Sequence, residues 1–273
     1  SIFSQAKPRD APARTSFFSE CRQVECSQMP RLSEYTMTDI TDLQERLHVG
    51  VMGCASLQEA AQKCVGVIYE DLEDSLALAR IYATVPFKQL PATDRSFVLD
   101  LAMANRAADL LDEETLVLSL LGTRGDESEW NDRNQSKNHL GIPLLASSFV
   151  DAIPMVAQLM QDLQIGLGWL DSKDTNIVVK TLGTVAGVFY VQEAATSVDE
   201  KGRKIVPAQD FVRAHRVETV FGLGGSYLNS TCVVLILFTR ERLERAEAER
   251  FMPLVNTIKS VTMGLVMRGQ IFE

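Results

Sequence analysis

Apolar residues recur along the chain with two different periods, and each period predicts one type of element. Between positions 40 and 51 they recur every three or four residues, which predicts a helix. A second helix is predicted after Ser56, because the S-x-x-E sequence that ends at Glu59 is typical of a capping box. The apolar face of this second helix comprises Leu57, Ala60, Ala61, Cys64, Val65 and Ile68.

The segment from Leu76 to Thr84 alternates in the manner of a strand. Small residues on one face would allow a helix to approach closely, and Arg80 and Tyr82 would point together to the other side. The two predicted faces are Ala77, Ala79, Ile81 and Ala83 on one side, and Leu76, Leu78, Arg80 and Tyr82 on the other.

Further helices and strands follow the same two periods. Helices are predicted at Thr93–Leu111 and Phe149–Leu163. Turns are predicted at 199–202 and 226–230. Strands are predicted at Leu116–Leu121, Ile177–Leu182, Ala186–Gln192, Val217–Phe221 and Cys232–Thr239.

The last segment predicts a long helix from about Arg240. Apolar residues there fall at spacings of three and four, as in a coiled-coil seam that ends before Arg268. The helix either packs on its own sheet or forms the interface of a homodimer, and two heptads leave both readings open. The seam residues are Phe251, Leu254, Ile258, Val261 and Leu265.

Composition adds limits to this layout. The 273 residues are 46% hydrophobic and 23% charged, which is typical of a globular protein. Residues 1–37 lack a sustained period and predict an arm or linker, and 38–273 predict one domain. A net charge of −9 gives no electrostatic support for binding nucleic acid or an anionic membrane.

Five cysteines without a disulfide-scaffold density favour a reducing cytoplasm. No apolar run has the length of a membrane span, and the chain does not open with a signal-peptide pattern. We therefore expect a cytoplasmic protein without membrane insertion.

Three segments of the sequence resemble a GAF-type domain: Ser56–Ala61, the glycine-to-strand step Gly187–Val191, and the end of the chain from Cys232 to Val266. The resemblance covers roughly residues 40–266, with long insertions at about 85–115 and 143–175. It implies an α+β fold, GAF/PAS-like, in which an antiparallel sheet is flanked by helices and long helices stand at both ends.

The resemblance also implies a function. GAF domains are small-molecule or chromophore sensors upstream of a histidine kinase, as in two-component systems, of a diguanylate cyclase, or of a transcription-activating module. No activity of its own comes with the family, so the isolated domain is not expected to be an enzyme. No cysteine stands where phytochrome-type proteins attach a chromophore, and the cofactor stays unknown.

The polar segment 122–139 supplies most candidate ligand-binding residues. Its arginines could recognise an anionic ligand, and an arginine and a tyrosine on one strand face could add to the same site. The segment is equally readable as a lid over a pocket or as an exposed loop. The candidates are Arg80, Tyr82, Arg124, Trp130, Arg133, His139, Tyr190 and Phe221.

Other motifs are weaker. The glycine cluster at 221–226 lacks the third glycine of a Rossmann fingerprint, so we interpret it as a loop or as a close backbone approach to a ligand. The three histidines, His48, His139 and His215, lack the spacing of metal ligands, and Cys21 and Cys26 lack a second pair. No nucleophile and base, phosphate loop or paired carboxylates stand in a convincing context.

The leading hypothesis is a regulatory input domain that binds a small molecule and relays a signal through its C-terminal helix to an output module. The alternative is a ligand-free interaction or dimerisation module whose interior has filled with side chains. A hydrolase or transferase is a third class, disfavoured for want of a nucleophile and base. The sequence does not name the ligand, the output module or the sign of regulation.

Overall fold

The computed structural model describes residues 31–136, 139–171, 186–229 and 231–273. The helices are α1 Met37–Val51, α2 Leu57–Asp71, α3 Ala92–Ala104, α4 Ser147–Asp151, α5 Pro154–Asp162, α6 Gln209–Ala214, α7 Arg245–Glu249 and α8 Met252–Met267. The strands are β1 Leu76–Pro86, β2 Leu116–Gly125, β3 Gly141–Pro143, β4 Ala186–Val191, β5 Thr219–Ser226 and β6 Cys232–Thr239.

The six strands form one sheet in the order β3-β2-β1-β6-β5-β4, and every neighbouring pair is antiparallel. Helices flank this sheet, which confirms the predicted α+β class. The strand predicted at Ile177–Leu182 lies outside the described residues. Within the described ranges, no helix combines the length and apolar character needed to cross a membrane.

Helices α1, α2 and α8 cover one face of the sheet. The predicted small face of β1 is confirmed for Ala79, Ile81 and Ala83, which pack into the core beneath these helices. The prediction is wrong at the start of the strand, where Leu76 joins this core and Ala77 packs on the opposite face. The cause is an irregularity in the pairing with β6 between Leu76 and Leu78, which shifts the alternation.

Helix α2 lies directly on β2 at Gly122. A Cβ atom on Gly122 would stand 2.6 Å from the carbonyl carbon and oxygen of Ala61, so only glycine allows this approach. The Gln62 side chain fixes the contact by bonding both the N–H and the carbonyl of Thr123, at 3.1 and 2.9 Å. The small residues of β1 predicted that a helix would approach the sheet closely, and a glycine of the neighbouring strand β2 is also needed for that approach.

The predicted capping box at α2 is half formed. The Ser56 hydroxyl accepts from the N–H of Glu59 at 3.0 Å, as expected. The Glu59 carboxylate instead accepts from the N–H of Ala55 at 2.8 Å, one residue before the predicted partner. A complete capping box stands at α1, between Thr36 and Asp39.

Two predicted helices are shorter than expected. The helix predicted at 93–111 ends at Ala104, and the chain turns at Arg106, whose φ is 55°. The helix predicted at 149–163 is broken at Ile153, which is extended because a proline follows it. Polar residues 122–125, predicted as loop, instead extend β2 to Gly125.

The glycine cluster at 221–226 is strand rather than loop, because it pairs along its length with β4 and β6. Its glycines do admit a close approach, but from side chains of the same chain. A Cβ on Gly224 would meet Leu163 at 2.6 Å, and one on Gly225 would meet Lys259 at 2.8 Å.

The predicted coiled-coil seam faces inward. Phe251, Leu254, Ile258 and Leu265 are buried in the core, and Val261 packs against it. They lie between α1, α2 and the sheet, where intrachain contacts occupy them. The burial of these side chains favours the reading in which the helix packs on its own sheet.

The segments next to α1 and α8 pack against the domain. Leu32 and Tyr35, predicted to belong to an arm, are buried, while residues 1–30 of that arm lie outside the described residues. After α8 the chain turns at Gly269, whose φ is 68°. The carbonyls of Gln270 and Ile271 then accept from the N–H groups of Leu57 and Gln58 at the start of α2, at 2.8 and 2.9 Å.

Candidate ligand-binding site

A cavity of about 390 Å³ lies on the face of the sheet opposite α1, α2 and α8. Its floor is formed by the outward residues of β1, β2 and β6, and its walls by α5 and by residues within 129–136, 139–142 and 206–211. A cavity of this size falls within the range of small-molecule sites.

Most of the cavity lining is apolar. Strand alternation turns Ile236 and Phe238 of β6 to the cavity, while Val233, Leu235 and Leu237 pack in the core on the opposite face. Helix α5 contributes its buried face, and aromatic rings stand at one side. The apolar lining includes Leu78, Leu118, Ile142, Ile153, Val156, Leu159, Phe211, Ile236 and Phe238.

Arg80 brings a positive charge into this apolar cavity. Only 8% of the residue is exposed, and its Nε has no hydrogen-bond partner. Its Nη1 donates to the hydroxyl oxygen of Tyr82 at 3.4 Å, a long and weak bond. No carboxylate of the described residues forms an ion pair with Arg80, although a buried charge without a partner is costly.

His139 borders the same cavity and is neutral at pH 7. Burial by the surrounding protein and the positive charge of Arg80 lower its pKa from the ordinary 6.5 to about 4. The residue as a whole nevertheless keeps an exposed surface. In its neutral form the imidazole offers one donor and one acceptor to an occupant.

The aromatic side of the cavity is tied to a polar cluster on its outer edge. The Trp130 ring packs on Phe211 and on His215, at centroid distances of 5.4 and 4.7 Å. His215 Nδ1 bonds to Asp126 at 3.0 Å, and Asp126 also accepts from the Tyr69 hydroxyl at 2.7 Å.

Asp126 also accepts from Arg240 at the end of β6. Burial alone would raise the pKa of Asp126, but its hydrogen bonds from Arg240, Tyr69 and His215 hold that pKa below its usual range. The Asp126 carboxylate therefore connects α2, β6 and the aromatic side of the cavity.

The structure brings four of the eight candidate residues together and separates the others. The four that line the cavity are Arg80, Tyr82, Trp130 and His139. Sequence reasoning found them because strand alternation paired the first two and the polar segment contained the last two.

The other four candidates lie elsewhere. Arg124 borders a separate surface pocket beside Asp126. Arg133 is buried in an ion pair with Asp94, and the Tyr190 hydroxyl donates to the carbonyl of Leu243 at 2.6 Å. Phe221 packs in the helix-covered core against Phe251, with ring centroids 5.9 Å apart. None of these four faces the cavity, because each side chain already has an intrachain partner or lies on another surface.

Sequence reasoning missed the apolar lining and some polar residues. The alternation of β6 could have placed Ile236 and Phe238 on the face opposite Val233 and Leu235. Glu129, Gln135 and Ser136 also border the cavity, next to residues that were predicted. Nothing in the local pattern distinguishes these three from other residues of the polar segment.

Among known proteins, only solved structures show a similarity to this chain. No protein-family model matches the chain, and no curated protein matches it. The GAF domain of an Acinetobacter phosphoenolpyruvate-protein phosphotransferase is 12% identical, with a TM-score of 0.43, covering 85% of this chain and 97% of its own. The phycocyanobilin-bound GAF domain of a cyanobacterial phytochrome is 11% identical, with a TM-score of 0.45, covering 84% and 96%.

A third solved structure is an N-acylhomoserine lactone dependent LuxR family transcription factor from Burkholderia cenocepacia. It is 8% identical, with a TM-score of 0.39, and the match covers 86% of this chain and 99% of that one. The chain is thus similar to GAF domains among others, at low scores. What the described residues themselves define is an α+β domain with a ligand-sized cavity on one face of its sheet.

Proposed function

We propose that this chain is a regulatory domain that binds a small molecule in the cavity beside β1. One observation carries the proposal: a buried arginine, Arg80, lines an apolar cavity without an intrachain ion-pair partner among the described residues. Retaining an unpaired charge lowers the stability of the folded chain, so a role in binding explains it better than a role in folding.

The signal passes through β6 in this proposal. Ile236 and Phe238 line the cavity, whereas Val233, Leu235 and Leu237 pack in the core beneath α8. An occupant that shifts this strand also shifts the surface on which α8 rests, which biases the C-terminal segment between two states. The proposal includes an output module, such as a histidine kinase, a homodimeric state and a cytoplasmic location. It also includes that the domain itself has no catalytic activity.

The alternative is a ligand-free interaction module with a filled interior. The open cavity favours ligand binding, and a test that blocks the cavity decides between the two. Val156 lies on α5 and lines the cavity, so Val156→Trp places a large ring inside it. Val49→Trp is a matched control, because Val49 is 64% exposed on α1, on the other side of the sheet.

The experiment combines native mass spectrometry of freshly purified protein with titration of N-phenyl-1-naphthylamine, a neutral apolar dye whose fluorescence rises in a cavity. We expect dye binding, or a retained mass, in the wild type and Val49→Trp, and neither in Val156→Trp. Equal dye binding by all three folded proteins, or neither dye binding nor a retained mass in any of them, would overturn the proposal and favour the interaction module.

A further inference from the structure

The charge balance of the cavity limits what it can hold. Arg80 supplies a permanent positive charge and His139 is neutral, while Tyr82 contributes a hydroxyl group. Glu129 stands at the exposed edge of the cavity, where it disfavours a second negative group. An occupant with one negative charge therefore neutralises the buried guanidinium without adding an unpaired charge.

The free polar atoms match a planar anion. The Nε of Arg80 is buried and has no hydrogen-bond partner, and the Tyr82 hydroxyl accepts from Arg80 and so keeps its own proton to donate. A carboxylate can accept two parallel N–H bonds from a guanidinium and a further bond from a hydroxyl. His139, in its neutral form, adds one donor on the same cavity.

The remaining lining matches an uncharged apolar body. Aliphatic side chains of β1, β2, β3 and α5 form the floor and one wall, and Trp130, Phe211 and Phe238 form another. The volume of about 390 Å³ corresponds to roughly a dozen liquid waters at about 30 Å³ each, enough for a ligand on the order of ten to twenty heavy atoms.

We propose that the cavity binds an amphipathic monocarboxylate, with its carboxylate on Arg80 and Tyr82 and its apolar body between α5 and β6. This inference rests on the proposed function and names the ligand class of the same site. Two kinds of compound share this chemistry. The aliphatic floor fits a short fatty acid, and the aromatic wall fits an aromatic acid.

The test uses isothermal titration calorimetry with two acids, octanoate and 3-phenylpropionate, and with the primary amide of each. The amide keeps the shape and removes the charge. We expect each acid that binds to bind the wild type at least about tenfold more tightly than its amide, because hydrogen bonds to charged groups contribute about 1.5–3 kcal/mol.

Variants assign the effect to the cavity residues. Arg80→Met keeps the length and loses the charge, so the advantage of the acid over its amide should disappear. Tyr82→Phe removes one donor and should weaken acid binding by a few-fold. Arg95→Met is the control, because Arg95 is exposed on α3 and does not line the cavity.

Binding of octanoate alone identifies the aliphatic source and binding of 3-phenylpropionate alone the aromatic one, and either supports the proposal. Equal affinity for acid and amide, or an unchanged preference in Arg80→Met, overturns the carboxylate class. The class is also overturned if neither acid binds a protein that still takes up N-phenyl-1-naphthylamine, while the cavity function stands. If the neutral dye also fails to bind, both the carboxylate class and the cavity function are overturned.

Discussion

The buried arginines Arg80 and Arg133 lie in opposite electrostatic surroundings. Arg133 pairs with Asp94, and the side chains are 4% and 1% exposed. Its Nε also donates to the carbonyl of Leu120 at 2.6 Å, and its guanidinium lies over the Phe272 ring, 5.4 Å from the centroid. Arg133 is thus fully engaged within the chain, whereas the Nε of Arg80 has no hydrogen-bond partner among the described residues.

Removing the partner of Arg133 should therefore be far more damaging than removing a surface charge. We expect Asp94→Asn to lower the free energy of unfolding by about 3–5 kcal/mol, because it leaves a buried guanidinium uncompensated. Urea denaturation monitored by circular dichroism measures this change.

The control is Glu114→Gln, which breaks the exposed ion pair with Lys88. Its effect should lie within about 1 kcal/mol, as is usual for solvated pairs. Equal effects of the two substitutions would show that the Asp94–Arg133 pair is not buried as described.

The titration of His139 reports on Arg80. Because the folded pKa lies below the ordinary one, the unfolded chain takes up a proton between about pH 6.5 and pH 4 while the folded chain does not. The contribution of His139 to stability is therefore present above this window and falls as the pH falls through it.

A pH titration of the imidazole proton signals by NMR checks this prediction. We expect one histidine to titrate well below the ordinary range in the wild type, and its pKa to rise in Arg80→Met, since the neighbouring positive charge is gone. A midpoint near 6.5 in the wild type, or no change in the variant, would contradict the placement of His139 beside Arg80.

The sequence could predict which residue types meet in the cavity but not which arginine of several would reach it. Strand alternation placed Arg80 and Tyr82 on one face, and that prediction is confirmed by their common position. Arg133 was misassigned because its partner, Asp94, lies 39 residues earlier on α3. A polar residue in a short helical segment gives no local sign that it will be buried.

At the scale of elements, the distance between α2 and β2 depends on Gly122. We expect Gly122→Ala to destabilise the fold by about 1–3 kcal/mol, because the added methyl group forces the helix backbone away from the sheet. Thermal and urea unfolding measure the change.

Gly66→Ala, within α2 itself, is the matched control. A Cβ on Gly66 meets nothing within 4 Å, so alanine should stabilise the helix by about 0.5–1 kcal/mol. The two glycine-to-alanine substitutions are expected to change the free energy of unfolding in opposite directions. A stabilising Gly122→Ala would contradict the close approach of α2.

The bounds of an element were predicted well where its hydrophobic pattern was uninterrupted. Strand β6 was predicted with its observed bounds, since Cys232–Thr239 is an uninterrupted apolar run closed by polar residues. Strand β5 was predicted short because glycines usually end strands, and here they remain in the strand to admit Leu163 and Lys259. The early end of α3 has no local signal, since no glycine or proline marks the turn at Arg106.

At the scale of the whole molecule, α8 is part of the core. Ile258 is 1% exposed, so Ile258→Glu should unfold the domain rather than only separate two copies. Circular dichroism and analytical ultracentrifugation together measure folding and association.

Met267→Glu is the control, because Met267 is 56% exposed on the same helix, and it should leave the fold intact. A folded, monomeric Ile258→Glu variant of a dimeric wild type would contradict the burial and restore the dimer seam. The sequence period alone could not decide this point, since a helix that packs on its own sheet and one that packs on a second copy need the same apolar spacing.

Two backbone amides at the start of α2 report whether the segment after α8 is bound to that helix. The amides of Leu57 and Gln58 would face water at the start of an isolated helix, but here they donate to Gln270 and Ile271. Their hydrogen exchange with deuterated solvent is consequently slow only while this segment is bound to α2. Faster exchange at these two amides, with α2 otherwise protected, would mark each release of the segment, and no label would need to be attached to see it.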